Sequence, residues 1–288
     1  MKHTPWLAIV ACCACLHPAC ALVTGKDHLA PKKLVLSFDD GPNNTTTPLL
    51  LRALREHGVR ATFFVVGANL DNAALLRHML RDGHVLGSHT FGHVHLASVS
   101  AERMHEEVTR TEQRFLRLTG DRPWFFRAPY GELNTEVERY LTGRGYQIVG
   151  WDDDTFDWQK SQPDEVTSAA LRLLQGHTSG AIMLMHEYPW TSKAQKTLLP
   201  QIAAAGWRFA DPLDMLSAPQ LDALRNASCG PGVCARYAHT RRWCCARAPP
   251  PGVAAPVVDD QLNATALQDA LEGQRRGAEA GADVAVEF

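Results

Sequence analysis

The chain reads as an α/β protein, a (β/α) barrel of about seven parallel strands with a Cys-rich C-terminal extension. Short apolar, β-branched or aromatic runs alternate with longer amphipathic stretches from Lys33 to about Ala210. Each connection is long enough to cross back over a sheet, which favours parallel pairing. The unusual polar residues fall at the C-terminal ends of the runs, where a closed βα repeat opens its mouth. An open doubly wound sheet is the runner-up architecture.

In chain order, the strand candidates are 34–38, 61–67, 84–89, 124–128, 147–151, 181–186 and 207–210. Helix candidates between them include Pro48 to His57, Ala101 to Leu118 and Pro163 to Gln175, several introduced by Thr, Ser or Pro in the manner of helix starts. No internal repeat is visible. The barrel domain is expected over 33–217, followed by a Cys-rich extension over 218–247 and a Pro/Ala-rich tail over 248–288.

Residues 1–21 have the form of an export signal: Lys2 and His3, an apolar stretch from Trp6 to Leu16, then Ala19-Cys20-Ala21 as a small-x-small cleavage site. A secreted protein, extracellular or held in a cell wall, is the expectation. Cys229, Cys234, Cys244 and Cys245 would remain after cleavage and read as two disulfides in an oxidising compartment. Neighbours 244 and 245 rarely pair with each other, so two connectivities stay open. The sequons at Asn43 or Asn44, Asn226 and Asn263 would carry glycans only in a eukaryotic secretory route.

At 288 residues, with 45% hydrophobic and 21% charged residues, a sizeable core is within reach. Lys plus Arg is 29 and Asp plus Glu is 31, a formal charge of -2, so no basic field exists to hold nucleic acid or an anionic membrane. No segment beyond the signal approaches the roughly 20 apolar residues that span a bilayer.

The chemistry lies at the strand ends. Asp39 and Asp40 close the first run, His89 the third and His186 the sixth; Arg127 stands near the end of the fourth, and Asp154 and Asp157 follow the fifth. His89 and His93, four apart, can converge on one ion if the segment makes a single turn, and Asp40 completes a two-His, one-carboxylate set. Taken alone, such a His pair is more often a stacking or capping pair. Those donors suit Zn²⁺ and equally Fe²⁺, Co²⁺ or Mn²⁺. The Gly41-Pro42 turn lets both adjacent carboxylates reach the mouth, one to bind and one free as a base. His84 and His95 read as surface or supporting residues, and Asp152 and Asp153 as a solvated loop.

Five segments in order carry a resemblance: "SFDD", "HTFGH", "RAPYG", "DTFDW" and "MLMH". The chain resembles the polysaccharide deacetylases, carbohydrate esterase family four, or NodB homology domain. The resemblance covers about Lys33 to Leu216. Ser37 stands where Thr is usual and Met183 where Leu is common.

The resemblance implies a distorted (β/α) barrel and a role for each residue. Asp40, His89 and His93 hold a divalent metal, most readily Zn²⁺, with Co²⁺ as an option. Asp39 is the general base for the attacking water, and Arg127 pairs with and aims it. The Tyr130 N–H contributes an oxyanion hole. His186 is the general acid for the leaving amine, oriented by Asp157. Trp158 and Leu184 wall the acetyl pocket.

The expected activity is removal of N-acetyl groups from N-acetylglucosamine units of chitin or its oligomers. The alternatives are the same chemistry on peptidoglycan or acetylated xylan, a non-catalytic glycan-binding barrel, and, sharing only the ligand set, a non-haem iron oxygenase.

Overall fold

The computed structural model describes residues 22–227. The segment expected to be an export signal, the Cys-rich segment with its four cysteines, and the tail lie outside the described residues, as do Asn263 and any helix near its sequon.

Among the described residues, eight strands form one parallel sheet: β1 (Lys33–Asp39), β2 (Ala61–Val65), β3 (Val85–Ser88), β4 (Phe125–Phe126), β5 (Gln147–Ile148), β6 (Asp153–Asp154), β7 (Ala181–His186) and β8 (Arg208–Phe209). Their order is β5-β4-β3-β2-β1-β7-β6, with β8 paired to the start of β1. The sheet curls into the expected distorted barrel, with β5 and β6 left unpaired to each other. In that region Val23 bridges Val149, and Asp152 accepts the Gly25 and Lys26 amides at 2.6 and 3.1 Å.

The connections are the helices α1 (Gly25–His28), α2 (Thr46–Glu56), α3 (Ala73–Arg81), α4 (Ala101–Thr119), α5 (Thr135–Gly143), α6 (Pro163–Gln175) and α7 (Pro189–Ala204), with α8 (Ala218–Ala227) closing the described chain. Their starts follow local chemistry. The side chains of Asn72, Ser100 and Asn134 accept the first-turn amides of α3, α4 and α5, and Gln162 with Glu165 forms a capping box on α6. Helix α4 stops at Gly120, whose φ of 75° lies in the left-handed region.

β1 is buried along almost its whole length, as a strand covered on both faces must be. Its two faces divide the core. Leu34, Leu36 and Phe38 join Leu50, Leu54, Ala170, Leu198 and Ile202 of the surrounding helices in one apolar cluster. Burying each such side chain is worth about 1.5–3 kcal/mol. The opposite face carries Val35, Ser37 and Asp39 toward the barrel interior, where Val35 packs with Phe64, Phe125 and Ile182. β7 repeats the pattern, with Ala181, Met183 and Met185 outward in the first cluster and Ile182 inward in the second. Period-2 alternation then places Leu184 and His186 on the interior stripe with Ser37 and Asp39.

All seven expected strands are present, several shorter than expected. β2 stops at Val65 because Val66 and Gly67 turn their amides to the carbonyls of Gly41 and Thr90. β5 stops at Ile148, and an unanticipated strand, β6, pairs with β7. Asp152 and Asp153 are therefore not a solvated loop. Asp152 also accepts the Ile182 amide at 2.8 Å, and Asp153 is buried against His177 at 2.8 Å. Nothing in an acidic triplet advertises a strand, because Asp is depleted in strands generally.

Candidate active site

The residues singled out at the strand ends gather at one mouth. Asp39 ends β1 on the interior stripe and is 3% exposed. Asp40 follows with φ 71°, a left-handed conformation that swings its carboxylate back toward the same opening. This conformation, with the Gly41-Pro42 turn after it, is how two adjacent carboxylates reach one site. Asn69 Nδ2 donates to the Asp40 carbonyl at 2.8 Å and pins the turn.

Asp40, His89 and His93 bring one ligand atom each to within 4.8 Å of one another. His89 lies just beyond β3, and its Nδ1 is 2.8 Å from the Arg127 carbonyl. A carbonyl only accepts, so Nδ1 carries the proton and the Nε2 lone pair faces the carboxylates. Burial lowers the His89 pKa, outweighing Asp39 and Asp40, so the ring is held neutral. His89 Nε2 stands 3.6 Å and His93 Nε2 3.2 Å from Asp40 Oδ1. That oxygen is buried without a well-formed hydrogen bond. Burial alone would raise the Asp40 pKa, yet His93, His89 and His186 together lower it and keep the carboxylate charged. An anionic oxygen facing the Nε2 atoms of two imidazoles is the donor set a divalent cation requires.

Arg127 is 1% exposed, and every nitrogen of its guanidinium donates a hydrogen bond. Nη1 donates to Asp39 Oδ1 at 2.8 Å and Ser37 Oγ at 2.9 Å, Nη2 to the Gly150 carbonyl at 2.7 Å and Nε to that of Val149 at 3.2 Å. Burial lowers its pKa while Asp39 opposes that shift. Ser37, read in the sequence as a neutral replacement for Thr, also donates to the Met183 carbonyl at 2.9 Å. It ties Arg127 to β7.

On the other side of β1, His186 Nδ1 lies 2.7 Å from Asp157 Oδ1, and the His186 amide donates to Asp157 Oδ2 at 2.7 Å. Thr191 Oγ1 donates to the same carboxylate at 2.6 Å, and Trp190 Nε1 to the Asp157 carbonyl at 2.7 Å. Burial opposes protonation of His186, but the hydrogen bond and charge of Asp157, with Asp39 and Asp40 beyond, raise its pKa to about 9. The imidazolium persists at neutral pH, and Nε2 is the nitrogen Asp157 leaves for chemistry.

Tyr130 sits in the turn Pro129–Gly131 with φ 61°. Its hydroxyl is 3.1 Å from His93 Nδ1, and its ring stacks on His95 at 3.9 Å between centroids. His95 is thus a support at the rim. His84, by contrast, is buried at the foot of the barrel, where Nδ1 accepts the Ala61 amide at 3.1 Å; burial pushes its pKa down to about 4. Trp158 is 51% exposed, and buried Leu184 stands two residues before His186 on the same face of β7. Asp154 accepts the Phe156 amide at 2.7 Å.

Among the described residues, six non-glycine positions have positive φ, and five of them, Asp40, Thr90, His93, Tyr130 and Phe156, lie in the segments that build this mouth. Strain of this kind, of order 1–3 kcal/mol per residue, persists where surrounding contacts over-determine the backbone.

Sequence reading misses Ser37, Thr191, Trp190 and Glu187. The last is buried beside His186 and bonded to Thr47, and burial, augmented by Asp40 and Asp39, lifts its pKa to about 8 against hydrogen bonds from Thr47 and the Asn43 backbone. Only its position next to His186 could draw attention to it.

The family model for polysaccharide deacetylases matches residues 26–149. It ends before Asp157 and His186, which the fold brings to the same mouth as Asp39 and Asp40. A peptidoglycan-N-acetylglucosamine deacetylase of Bacillus cereus is 33% identical over 183 residues, 62% of this chain and 66% of the relative. The match therefore spans just under two thirds of that protein. A chitooligosaccharide deacetylase of Bradyrhizobium sp. is 36% identical over 162 residues, 55% of this chain and 72% of the relative. Among solved structures, a peptidoglycan N-acetylglucosamine deacetylase in complex with 4-naphthalen-1-yl-N-oxidanyl-benzamide superposes with a TM-score of 0.62 at 30% identity, covering 68% of this chain and 92% of that one.

Proposed function

Because this chain belongs to the polysaccharide deacetylase family, we propose that it hydrolyses the acetamide of N-acetylglucosamine units in a polysaccharide, releasing acetate and leaving the amine on the sugar. The observation that carries this reading is the pairing of a buried carboxylate with a protonated imidazole beside a two-His, one-carboxylate donor set.

An amide carbonyl is a poor electrophile and an amine a poor leaving group, so the reaction needs activation at both ends. Asp40, His89 and His93 would hold a divalent cation, Zn²⁺ by preference, which supplies Lewis acidity toward the acetamide oxygen and toward water. Asp39, aimed by Arg127, takes the proton from the attacking water. The Tyr130 N–H donates to the oxygen on which negative charge develops. His186, protonated and oriented by Asp157, delivers a proton from Nε2 to the departing nitrogen. Leu184 and Trp158 flank the acid and bound the space for the acetyl methyl.

The polymer is set by loops at the mouth. Chitin oligomers are the first substrate we propose, on the residues of "SHTFGHVHL" and "GWDDDTFDW". Peptidoglycan is the second, favoured by the names of the Bacillus cereus relative and of the solved structure. The export signal supports a site of action outside the cell.

The test is acetate release from chitin oligomers, peptidoglycan and acetylxylan after chelation and restoration with Zn²⁺. Zn²⁺-dependent acetate from chitin oligomers supports the whole reading. Release from another polymer alone moves the substrate, and a folded, metal-loaded protein that releases none is a glycan-binding barrel.

A further inference from the structure

His89 and His93 lie on a segment with no regular secondary structure, so no backbone ladder fixes the angle between them. Something else must hold the turn, because Thr90 and His93 both have left-handed backbones, with φ 63° and 56°. The carbonyls of Thr90 and Phe91 accept the amides of Gly67 and Ala68 at 2.8 and 2.9 Å. The His93 amide donates to Thr90 Oγ1 at 3.0 Å. The amides of Phe91 and Gly92 both donate to Glu107 Oε2, at 2.9 and 2.6 Å.

Glu107 comes from α4 and is fully buried. Arg103 Nη2, one turn earlier, approaches its other oxygen at 2.5 Å. Arg110 of the same helix lays its guanidinium over the Phe91 ring at 3.7 Å. Successive N–H groups beside a left-handed residue form a concavity that favours an anion. A buried carboxylate, in turn, is tolerated only where charge and hydrogen bonds satisfy it. Gly92 also fits this contact, since a Cβ there would stand 3.3 Å from Glu107 Oε1.

We propose that Glu107 is a positioning residue of the metal site, fixing the turn between His89 and His93 so that both imidazoles converge on one cation. This rests on reading Asp40, His89 and His93 as metal ligands. Glu107 touches no ligand atom; it acts through the amides of Phe91 and Gly92. Glu107→Gln is isosteric but removes the charge and turns one oxygen into a donor, so the turn relaxes and the two imidazoles lose their shared focus.

The experiment measures Zn²⁺ affinity by competition with a chromophoric chelator, alongside the thermal midpoint of the metal-free protein. It compares the wild-type chain with Glu107→Gln and with Val108→Ala, a buried cavity variant at the next position of α4 that leaves the turn's hydrogen bonds intact. Glu107→Gln is expected to weaken Zn²⁺ binding by about 10–100-fold, the range typical of residues that orient metal ligands, while Val108→Ala lowers the midpoint and keeps wild-type affinity. Equal Zn²⁺ affinity in Glu107→Gln and wild type, or an equal loss in Val108→Ala, overturns the proposal. A wild-type chain that binds no Zn²⁺ overturns instead the metal reading beneath it.

Discussion

Asp39 and His186 are register partners on adjacent parallel strands, at the ends of β1 and β7. Partners in register point to the same face, so a carboxylate and an imidazole stand side by side on the interior stripe. Each is held from its far side by a group of opposite charge, Asp39 by Arg127 at 2.8 Å and His186 by Asp157 at 2.7 Å. Those two supports come from opposite flanks of the sheet, Arg127 from beyond β4 and Asp157 from beyond β6. The carboxylate and the imidazole are thereby kept in separate ion pairs.

The first consequence concerns pH. His186 works as an acid only while protonated, so activity is expected to fall as pH rises through about 9. Asp157→Asn removes the main group that raises that pKa, and the alkaline limb should move down. Turnover at pH 8 should fall about tenfold or more relative to pH 6. A pH–rate profile checks this; an unmoved limb with uniformly lower turnover would mean that Asp157 only orients the ring.

The second separates the two neighbouring carboxylates. Asp39→Asn should reduce acetate release by about 10²–10⁴-fold, the scale of general base catalysis, while metal content stays near wild type. His93→Ala should lose both. Metal analysis beside the acetate assay decides it, and an empty site in Asp39→Asn would overturn the division of labour.

The third is a stability effect. Arg127→Met leaves Asp39 buried without its partner and removes donors from Ser37, Val149 and Gly150. Removing one member of a buried pair costs about 3–5 kcal/mol. Urea unfolding at neutral pH should show a loss of that order; a change below about 1 kcal/mol would mean that water replaces the guanidinium.

Much of this architecture is legible in the amino-acid sequence alone. The strands are readable because a buried parallel strand is a continuous apolar run, and the helices because Ser100 and Pro163 mark their starts; the helix that Asn134 caps is not among the candidates named from the sequence. The ligand candidates are readable because Asp and His recur at the C-terminal ends of several strands, which share one mouth. The supports are not. Glu107 looks like any acidic residue of an amphipathic helix, Ser37 like a conservative replacement, and β6 like an acidic loop, because each acquires its partner only through contacts distant in sequence. Left-handed φ at Asp40 and His93 is equally hidden, since neither residue type announces it as glycine does.

Glu187 supplies the last prediction, again from a contact remote in sequence. Its carboxyl is buried against the loop that follows Asp40, bonded to Thr47, and a Cβ on Gly41 would fall 1.6 Å from its Oε1, so only glycine fits there. Burial raises its pKa from 4.5 to about 8. Between those values the folded state binds a proton that the unfolded state has released, so this group's contribution is fully present below about pH 4.5 and is lost as pH rises through about 8. Glu187→Gln mimics the protonated form at every pH. In metal-stripped protein the variant should match wild type near pH 5 and exceed it above pH 8 by a margin on the order of a few kcal/mol. Urea midpoints at pH 5, 7 and 9 measure that margin. A difference that stays constant across the three would show that Glu187 keeps its charge in the folded protein and that the loop, rather than the proton, accommodates it.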